Sequence, residues 1–527
     1  MQLKAALTNF VDSHSKSRIV FLFAISLLLL GIPYSRFLMS MGGAVLVINW
    51  FLEGNLINKA RSIFRSKVAL SCLILYVVHL LWMLGTQNMK DGWFDLWTKT
   101  PLLFLPIIFF TSQPLSRKEC KALLQIYVLG AFISSVSGFI LYHTRNFADM
   151  REMALFISYV RFTINICFAG FVCLYLLFRG EMNKMGKAAA AAAFCWFLFF
   201  LVFSGSITAI ALFFIAGTLV VAKTAIDNGN KNFRYIIPPL FVGLTIGVGV
   251  LLFCSVRQYF IADFSVETAA KHTLDGNPYS HNPQKGSIEN GSYIFTYISE
   301  VELEQAWNKR SEINYTACDE KGFAIKNTLI RYLNSKGLHK DRLGVEALSE
   351  QDISNVEHGI ANVAYTHKLN LVNRIYSLMW EMNDYWHTGS VLDYSVPQRF
   401  ELWKHSISLI KKHPYFGVGT GDAKTAFAQE LQLGESPLAN TKMRSHNQYF
   451  TFLIAFGTIG LLLILFSVFY PVFALGRLRN SLFLVFFCMV IISMFTEDTL
   501  EPQDGVTFFA FFYYFFLFLF PKKESQF

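Results

Sequence analysis

Long apolar segments recur along this chain and constrain its fold more than any other feature. A helix that crosses about 30 Å of hydrocarbon needs roughly 20 mostly apolar residues. The 527 residues include 54 Phe, have a mean hydropathy of +0.40, and are only 16% charged, far too apolar for a soluble domain. Twelve spans are predicted, with the turn-forming SGS separating the seventh from the eighth. They lie at about 19–33, 37–52, 67–86, 99–112, 121–142, 158–178, 188–203, 207–222, 235–256, 447–470, 481–496 and 505–520.

The fold class predicted from these spans is an all-α polytopic membrane protein with about twelve transmembrane helices. Loops rich in Lys and Arg favour the cytoplasmic side of a membrane. In the twelve-span arrangement the basic loops all fall on the side of the basic N-terminus, so both termini are predicted to be cytoplasmic and the first span to be an uncleaved anchor. These loops are 58–67, 116–121, 179–187, 223–234, 476–480 and the tail 521–527.

One large polar segment, 257–446, is predicted to lie on the opposite side. It divides the chain into transmembrane helices 1–9 (1–256), the segment itself, and helices 10–12 (447–527). Residues 258–443 carry a net charge of −4, whereas the rest of the chain carries +14. The overall charge of +10 therefore follows from the basic cytoplasmic loops, and nucleic-acid binding is set aside.

The external segment has sequence patterns of amphipathic helices. EVELEQAWNKR (300–310) and NTLIRYLNSKG (327–337) are predicted to form two of them. A third, basic helix is predicted to have Pro397 at its first position and to end before Pro414, and it is expected at the membrane interface. GVGTG (417–421) then predicts a tight turn whose amides could help to hold an anion.

Cationic residues gather at the predicted external ends of the spans. Arg161 lies about a turn inside span six, where a charge is costly, so a functional role is predicted for it. A cation cluster on the side where positive charge is normally scarce predicts an anionic ligand, and a lipid diphosphate suits arginine well. For Lys99, Arg145, Arg151 and Arg257, interfacial snorkelling is the favoured explanation.

The stretch RSHNQ (444–448) precedes span ten. Ser445 and Gln448 predict a capping box that begins the helix. A capping box does not explain why Arg444, His446 and Asn447 occur beside it. Because the unperturbed pKa of histidine is about 6.5, His446 is a candidate general base at neutral pH.

Two stretches, RFELWKHSISLIKKHPYFGVGTGD (399–422) and SHNQYFTFLIAFGTIGL (445–461), resemble the O-antigen ligase and O-antigen polymerase superfamily. Its members show an Arg, a Trp a few residues on, a Pro-x-x-Gly-x-Gly sequence, and later His-Asn-x-Tyr opening a span. TEDTLEPQDGVTFFAFF (496–512) and YVRFTINI (159–166) resemble ligase-type members. The resemblance implies a GT-C-like membrane fold in the bacterial inner membrane.

The resemblance also implies a glycosyl transfer at the periplasmic face, in lipopolysaccharide biosynthesis. The donor would be a glycan on undecaprenyl diphosphate, and the acceptor a sugar hydroxyl of lipid A-core. Neither metal nor nucleotide nor other cofactor is expected, and the sequence has no Asp-x-Asp pair for a metal-diphosphate site.

The resemblance suggests roles for particular residues. His446 would activate the acceptor hydroxyl, Arg399 would bind the leaving diphosphate, and Arg161 would be a second diphosphate contact. Glu497 could orient His446, which is an inference from the residues alone. The other predicted substrate-binding residues are Lys99, Arg444, Asn447, Trp403 and Tyr449.

The sequence departs from the family pattern in two respects. Many members carry an Arg near the outer end of the span at 207–222, where this chain has SGSITAI, so Arg161 or Lys99 would have to supply that charge. Residues 265–395 are also longer than expected, and they are a candidate for acceptor selection.

Two other functions remain open at this stage. An O-antigen polymerase would use a second lipid-linked glycan as acceptor, and only the TEDTLEPQDG tail favours the ligase. A lipid-glycan flippase or exporter would need a polar path across the membrane. The interiors of the predicted spans are nearly free of ionisable groups, with His79 as the clear exception. This scarcity argues against transport, because a transport path would need such groups near the midplane.

Overall fold

The computed structural model describes residues 15–145, 150–179, 182–227, 231–262, 264–283, 287–366, 370–392, 394–441 and 443–521. About 71% of it is helical with almost no sheet, which confirms an all-α membrane protein. The chain forms two compact units. Unit 1 comprises Met1–Phe241 and Glu401–Phe527, and unit 2 comprises Val242–Phe400. The three-part division predicted from topology stays a prediction, and the basic tail after residue 521 lies outside the described residues.

The helices of unit 1, two of which continue into unit 2, are as follows. They are α1 (Lys16–Gly31), α2 (Arg36–Leu52), α3 (Leu56–Arg65), α4 (Lys67–Leu81), α5 (Met89–Thr98), α6 (Pro101–Thr111), α7 (Arg117–Thr144), α8 (Tyr159–Arg179), α9 (Lys184–Ser204), α10 (Ile207–Asp227), α11 (Lys231–Phe260), α17 (Ser395–Lys412), α18 (Ala423–Leu433), α19 (Gln448–Ala474), α20 (Ser481–Ser493) and α21 (Gln503–Tyr514), with short turns at Met150–Met153, Arg477–Arg479 and Phe515–Leu519.

Unit 2 adds short helices and one small hairpin. They are β1 (Ile288–Glu289), β2 (Ser292–Tyr293), α12 (Glu300–Arg310), α13 (Ile325–Ser335), α14 (Arg342–Glu346), α15 (Glu350–Glu357), a 3-10 turn (Val363–Thr366) and α16 (Asn370–Thr388). The two strands pair antiparallel, with Ile288 opposite Tyr293.

A helix lies at each of the twelve predicted spans, and the predicted turn at SGS is confirmed by a left-handed Gly205 between α9 and α10. Among the described residues, five segments are long and apolar enough to cross a membrane, or six if α2 and α3, bent by 106°, count as one. The twelve-span count and the sidedness therefore stay predictions. The five segments are Met89–Thr111, Arg117–Thr144, Tyr159–Phe178, Lys184–Ser204 and Gln448–Ala474.

Serine side chains define where several of these helices begin. Ser15, Ser35 and Ser66 each accept a hydrogen bond from the backbone N–H three residues later. Ser116 and Glu119 form a reciprocal capping box at the start of α7. Such caps satisfy amide groups that the first turn of a helix leaves without partners.

The core of unit 1 is built around its last helix. Every residue of α21 from Asp504 to Tyr514 is buried, as expected for a helix that is apolar on all sides. The Phe512 ring lies 4.8 Å from both Phe168 and Tyr127. Because α21 is central, residues 497–507, which include its first turn, lie among the other helices of the unit.

Helix α19 is broken inside the predicted span 447–470. Gly457 has a φ of +64°, and a Cβ there would lie 2.2 Å from the carbonyl carbon of Tyr415. The loop before α18 inserts at this point, because Thr458 N–H donates to Pro414 O (2.9 Å) and Ile459 N–H to Tyr415 O (3.1 Å). Glycine is needed here for both its conformation and the close approach.

The helices predicted in unit 2 are present. The helix predicted at 300–310 is α12, and the one predicted at 327–337 is α13, after which Gly337 adopts a φ of +69°. The basic helix α17 begins at Ser395, two residues before the predicted start, so Pro397 is its third residue and not its first. The buried core of unit 2 includes Leu303, Trp307, Leu329, Tyr332 and Leu333.

A buried ion pair joins the hairpin of unit 2 to its helices. Arg331 binds the Glu289 carboxylate through two hydrogen bonds of 2.9 and 3.0 Å, and Asn362 donates to the same carboxylate at 2.8 Å. The Arg331 guanidinium also lies 3.4 Å from the centre of the Trp380 ring. Glu289 is fully buried, so removal of either partner would leave an uncompensated charge.

We expect Glu289→Ala to destabilise unit 2 by about 3–5 kcal/mol, because Arg331 would lose its buried counter-ion. Hydrogen exchange of the full-length protein in detergent, followed for the amides of α12 and α13, measures the loss. Asp275→Ala is the control, since it removes an exposed pair with Arg342 and should leave protection unchanged. Equal protection in Glu289→Ala and wild type would contradict the assignment.

Candidate active site

A cavity of about 1080 Å³ in unit 1 is lined by several segments far apart in sequence. These are parts of α2, the α5–α6 region, Ser158–Arg161, the stretch before α19, and residues 497–507. One wall is apolar and the other is polar. The apolar wall includes Leu28, Met39, Val47, Trp97, Pro101 and Phe104. The polar wall includes Arg36, Arg161, Arg444, His446, Glu497, Asp498 and Glu501.

Four of the predicted site residues line this cavity together: His446, Arg444, Arg161 and Glu497. The His446 Nδ1 atom lies 3.9 Å from Glu497 Oε2, which is within ion-pair range but too long for a hydrogen bond. The imidazole of His446 and the carboxylate of Glu497 are therefore neighbours. The orienting role of Glu497 stays a prediction.

The backbone of His446 is strained. Its φ is +49°, a conformation that is uncommon for a residue with a side chain. The His446 N–H donates to Asp498 Oδ2 at 3.0 Å. Backbone strain of this kind persists only where the surroundings enforce it, and it often occurs at functional sites.

Asp498 holds His446 in this conformation. Its Oδ1 accepts from the hydroxyls of Thr451 (2.6 Å) and Ser445 (3.3 Å), and its own carbonyl accepts from Arg161 Nη2 at 2.6 Å. Burial raises the pKa of the Asp498 carboxyl, while the Thr451 hydrogen bond and the nearby His446 and Arg444 oppose that rise. Asp498 therefore connects the segment that carries His446 to Arg161.

A second carboxylate, Glu501, organises Arg444. It pairs with Arg444, lies 3.5 Å from the Lys99 ammonium, and accepts from Gln448 Nε2 at 3.1 Å. Burial would raise the pKa of the Glu501 carboxyl, but Lys99 and Arg444 outweigh it and lower that pKa below its ordinary value. Lys99 is only 1% exposed and also pairs with Asp95, so it supports Glu501 from behind the cavity wall.

The Arg161 side chain packs closely against Gly505. Its buried Nε has no hydrogen-bond partner among the residues that the structure describes. A Cβ at Gly505 would lie 3.0 Å from this Nε and 1.8 Å from Thr499 O, so only glycine fits there. Nearby, Arg36 donates to the buried Asp504 carboxylate at 3.2 Å, and Ser158 N–H donates to the same carboxylate at 3.1 Å.

The remaining predicted site residues lie elsewhere. Asn447 caps α19, its side chain accepting from the N–H groups of Tyr449 and Phe450, and the Tyr449 hydroxyl donates to Ile491 O at 2.9 Å. Trp403 packs edge-on against Phe450. Arg399 belongs to unit 2, where its guanidinium donates to Ser395 O at 3.2 Å, and its contact with a diphosphate stays a prediction.

Two local predictions were wrong. The capping box of Ser445 and Gln448 does not form, because Asn447 caps the helix and the Gln448 side chain instead accepts from Leu500 N–H at 2.7 Å. The GVGTG amides are also occupied. Val418 and Gly419 donate to Ile454 O and Ala455 O, both at 2.9 Å, so these amides stabilise the broken α19 and cannot hold an anion.

Three charged residues of the site were given no role from the sequence. They are Asp498, Glu501 and Arg36. Arg36 begins a predicted span on the external side, where basic residues are scarce, and that signal could have identified it. Glu501 follows Glu497 by four residues, but its partners come from distant segments and no local pattern indicates them.

We expect Asp498→Ala to loosen the segment around His446, because three groups would lose their buried acceptor. Amides 444–451 should lose about 1–3 kcal/mol of protection in hydrogen exchange. Gln503→Ala is the control, since Gln503 also lines the cavity but donates to Ser40 at 2.8 Å and not to this segment. Unchanged exchange in Asp498→Ala would show that something else holds His446.

The segment that carries His446 is similar to a known family. Residues 360–465 match the family model described as O-antigen ligase, a range that includes Arg399, Trp403, the GVGTG loop, Arg444 and His446. No curated protein matches the chain. The match of residues 360–465 therefore supports the resemblance of this chain to the O-antigen ligase and O-antigen polymerase superfamily.

Proposed function

We propose that the protein is a glycosyltransferase of the O-antigen ligase type. It would move a glycan from undecaprenyl diphosphate to a sugar hydroxyl of lipid A-core, without metal or nucleotide. The reaction would take place at the periplasmic face of the bacterial inner membrane, with both termini in the cytoplasm. The family match supports an enzyme of the ligase and polymerase superfamily, and the choice of donor and acceptor is the proposal.

The observation that carries the proposal is the two-sided cavity. The donor has an apolar polyprenyl chain and an anionic diphosphate, so it needs an apolar wall beside one that contains arginine side chains. The wall with Met39, Val47 and Phe104 suits the lipid, and the wall with Arg161 and Arg444 suits the diphosphate. All the polar lining residues lie at span ends that the basic-loop pattern predicts to be periplasmic.

The proposed reaction follows from the placement of His446. Its imidazole would take the proton of the acceptor hydroxyl as that oxygen attacks the anomeric carbon of the donor. The bond between the anomeric carbon and the diphosphate oxygen breaks, and Arg161 and Arg399 would stabilise the charge on the leaving diphosphate. Glu497, 3.9 Å from His446 Nδ1, would stabilise the imidazolium that forms.

The other predicted binding residues take more specific roles in this proposal. Arg444 would contact the donor directly, while Lys99 would hold Glu501 and through it the Arg444 side chain. Asn447 and Tyr449 would act by fixing the start of α19 next to His446. Trp403 would position the middle of α17 against the same helix.

The test is a transfer assay with purified protein in liposomes, labelled glycan on undecaprenyl diphosphate, and lipid A-core. We expect His446→Ala to lower the rate by about 10²–10⁴-fold because the general base is lost. Arg161→Ala and Arg399→Ala should each lower it by about 10²–10³-fold because leaving-group stabilisation is lost. The matched controls His413→Ala and Arg145→Ala replace residues that do not line the cavity and should retain activity.

The same assay distinguishes the alternatives. A ladder of glycan growing on the lipid carrier without lipid A-core would identify a polymerase. Intact carrier lipids with no covalent product, from folded wild-type protein, would contradict both enzymes and favour transport. Full activity of His446→Ala would refute the proposed base even if label reached lipid A-core.

A further inference from the structure

Six aromatic and imidazole rings gather on the surface of unit 2, away from its hydrophobic core. The side chain of His339 is exposed and the other five are half-buried. The core of unit 2 is formed by a different set of residues, which includes Leu303, Trp307 and Leu329. We call the six rings the ring patch. They are Phe264, Tyr279, His281, Tyr293, Tyr297 and His339.

The ring patch is centred on Tyr297. The Tyr297 ring stacks on His339 with centroids 4.2 Å apart and planes 5° apart. His281, Tyr279 and Phe264 meet Tyr297 edge-on at 4.8, 5.6 and 5.7 Å. The rings therefore hold one another in position. The part of the His339 ring that does not contact Tyr297 is exposed to solvent.

Tyr297 is also held in a strained conformation. Its φ is +54°, a genuine outlier for a bulky residue. Its carbonyl accepts from Lys340 N–H (2.9 Å), and its N–H donates to His281 Nδ1 (3.2 Å). His281 Nε2 lies 2.8 Å from Ala270 O, so a neutral His281 with its proton on Nε2 satisfies both contacts. The fold keeps this ring in place against its backbone preference, as is common at ligand sites.

Polar groups lie at the edge of the ring patch. The Tyr279 hydroxyl donates to Asp341 and lies 3.2 Å from His339 Nδ1. Aromatic faces carry partial negative charge and attract the C–H groups of a sugar ring, while carboxylate, imidazole and phenol groups can bind its hydroxyls. Residues 258–395 carry a net charge of −6, which disfavours an anionic membrane surface or a polyanion as the ligand.

We propose that the ring patch binds a pyranose ring of a glycan substrate. The proposal rests on the proposed function for the identity of the glycan, which would come either from lipid A-core or from the donor. The recognition chemistry is the same for both. Unit 2 would then contribute substrate specificity through Tyr279, Tyr297 and His339, apart from the chemistry at His446.

The test is a direct binding measurement that needs no turnover. Full-length protein in detergent is titrated by calorimetry with the oligosaccharide released from lipid A-core, and separately with lipid-free donor glycan. We expect His339→Ala and Tyr279→Ala each to raise Kd for one of them by about two- to tenfold, the range of a single ring contact. Phe323→Ala, which removes an exposed ring of unit 2 outside the patch, should bind like wild type.

The outcomes separate this proposal from the proposed function. Weaker binding in both variants, with KM raised for the same glycan and kcat retained, supports a glycan site. Wild-type protein that binds a glycan through these residues but transfers none would support the site and refute only the enzyme. Binding of neither glycan by wild type, or wild-type Kd and KM in His339→Ala, would overturn the site, because an exposed side chain can be removed without unfolding the unit.

Discussion

The pairing of Asp498 and Glu501 with the segment that carries His446 is the interaction on which the site depends. In an apolar unit a buried charge is costly unless it has a counter-ion or several hydrogen bonds. Asp498 meets that need through His446 N–H, Ser445 and Thr451, and Glu501 through Arg444, Lys99 and Gln448. Two stretches more than 50 residues apart are thereby joined, and the same contacts hold His446 in its strained conformation.

Several residues that carry the family resemblance support the scaffold. Gly417 and Gly419 allow the loop before α18 to bind the broken α19, Asn447 caps the first part of that helix, and Gly505 makes room for Arg161. Each is needed for conformation or close approach, and none offers a reactive group. The motif therefore specifies how His446 is positioned more than it specifies the chemistry itself.

Hydropathy and turn residues were sufficient to predict the helices, because they act locally. The twelve apolar segments, the turn at Gly205 and α12 follow from composition and spacing alone. The break of α19 at Gly457 and the cap at Asn447 could not be predicted, since both depend on contacts with distant parts of the chain.

The same limit applies to the site. His446, Arg161, Arg444 and Glu497 stand out as costly or unexplained polar residues, whereas Glu501 is recognised only when Lys99 and Arg444 are seen beside it.

The charge balance of the cavity bears on how a diphosphate could bind. Arg36, Arg161 and Arg444 are offset by Glu497, Asp498 and Glu501 in the same lining, and Arg36 and Arg444 already pair with carboxylates. Net positive charge therefore cannot be what attracts an anion to this lining. Local geometry has to provide the attraction, and the Arg161 side chain in the lining is the candidate for it. A donor with two or more negative charges needs a further cation, which in the proposed mechanism is Arg399 of unit 2.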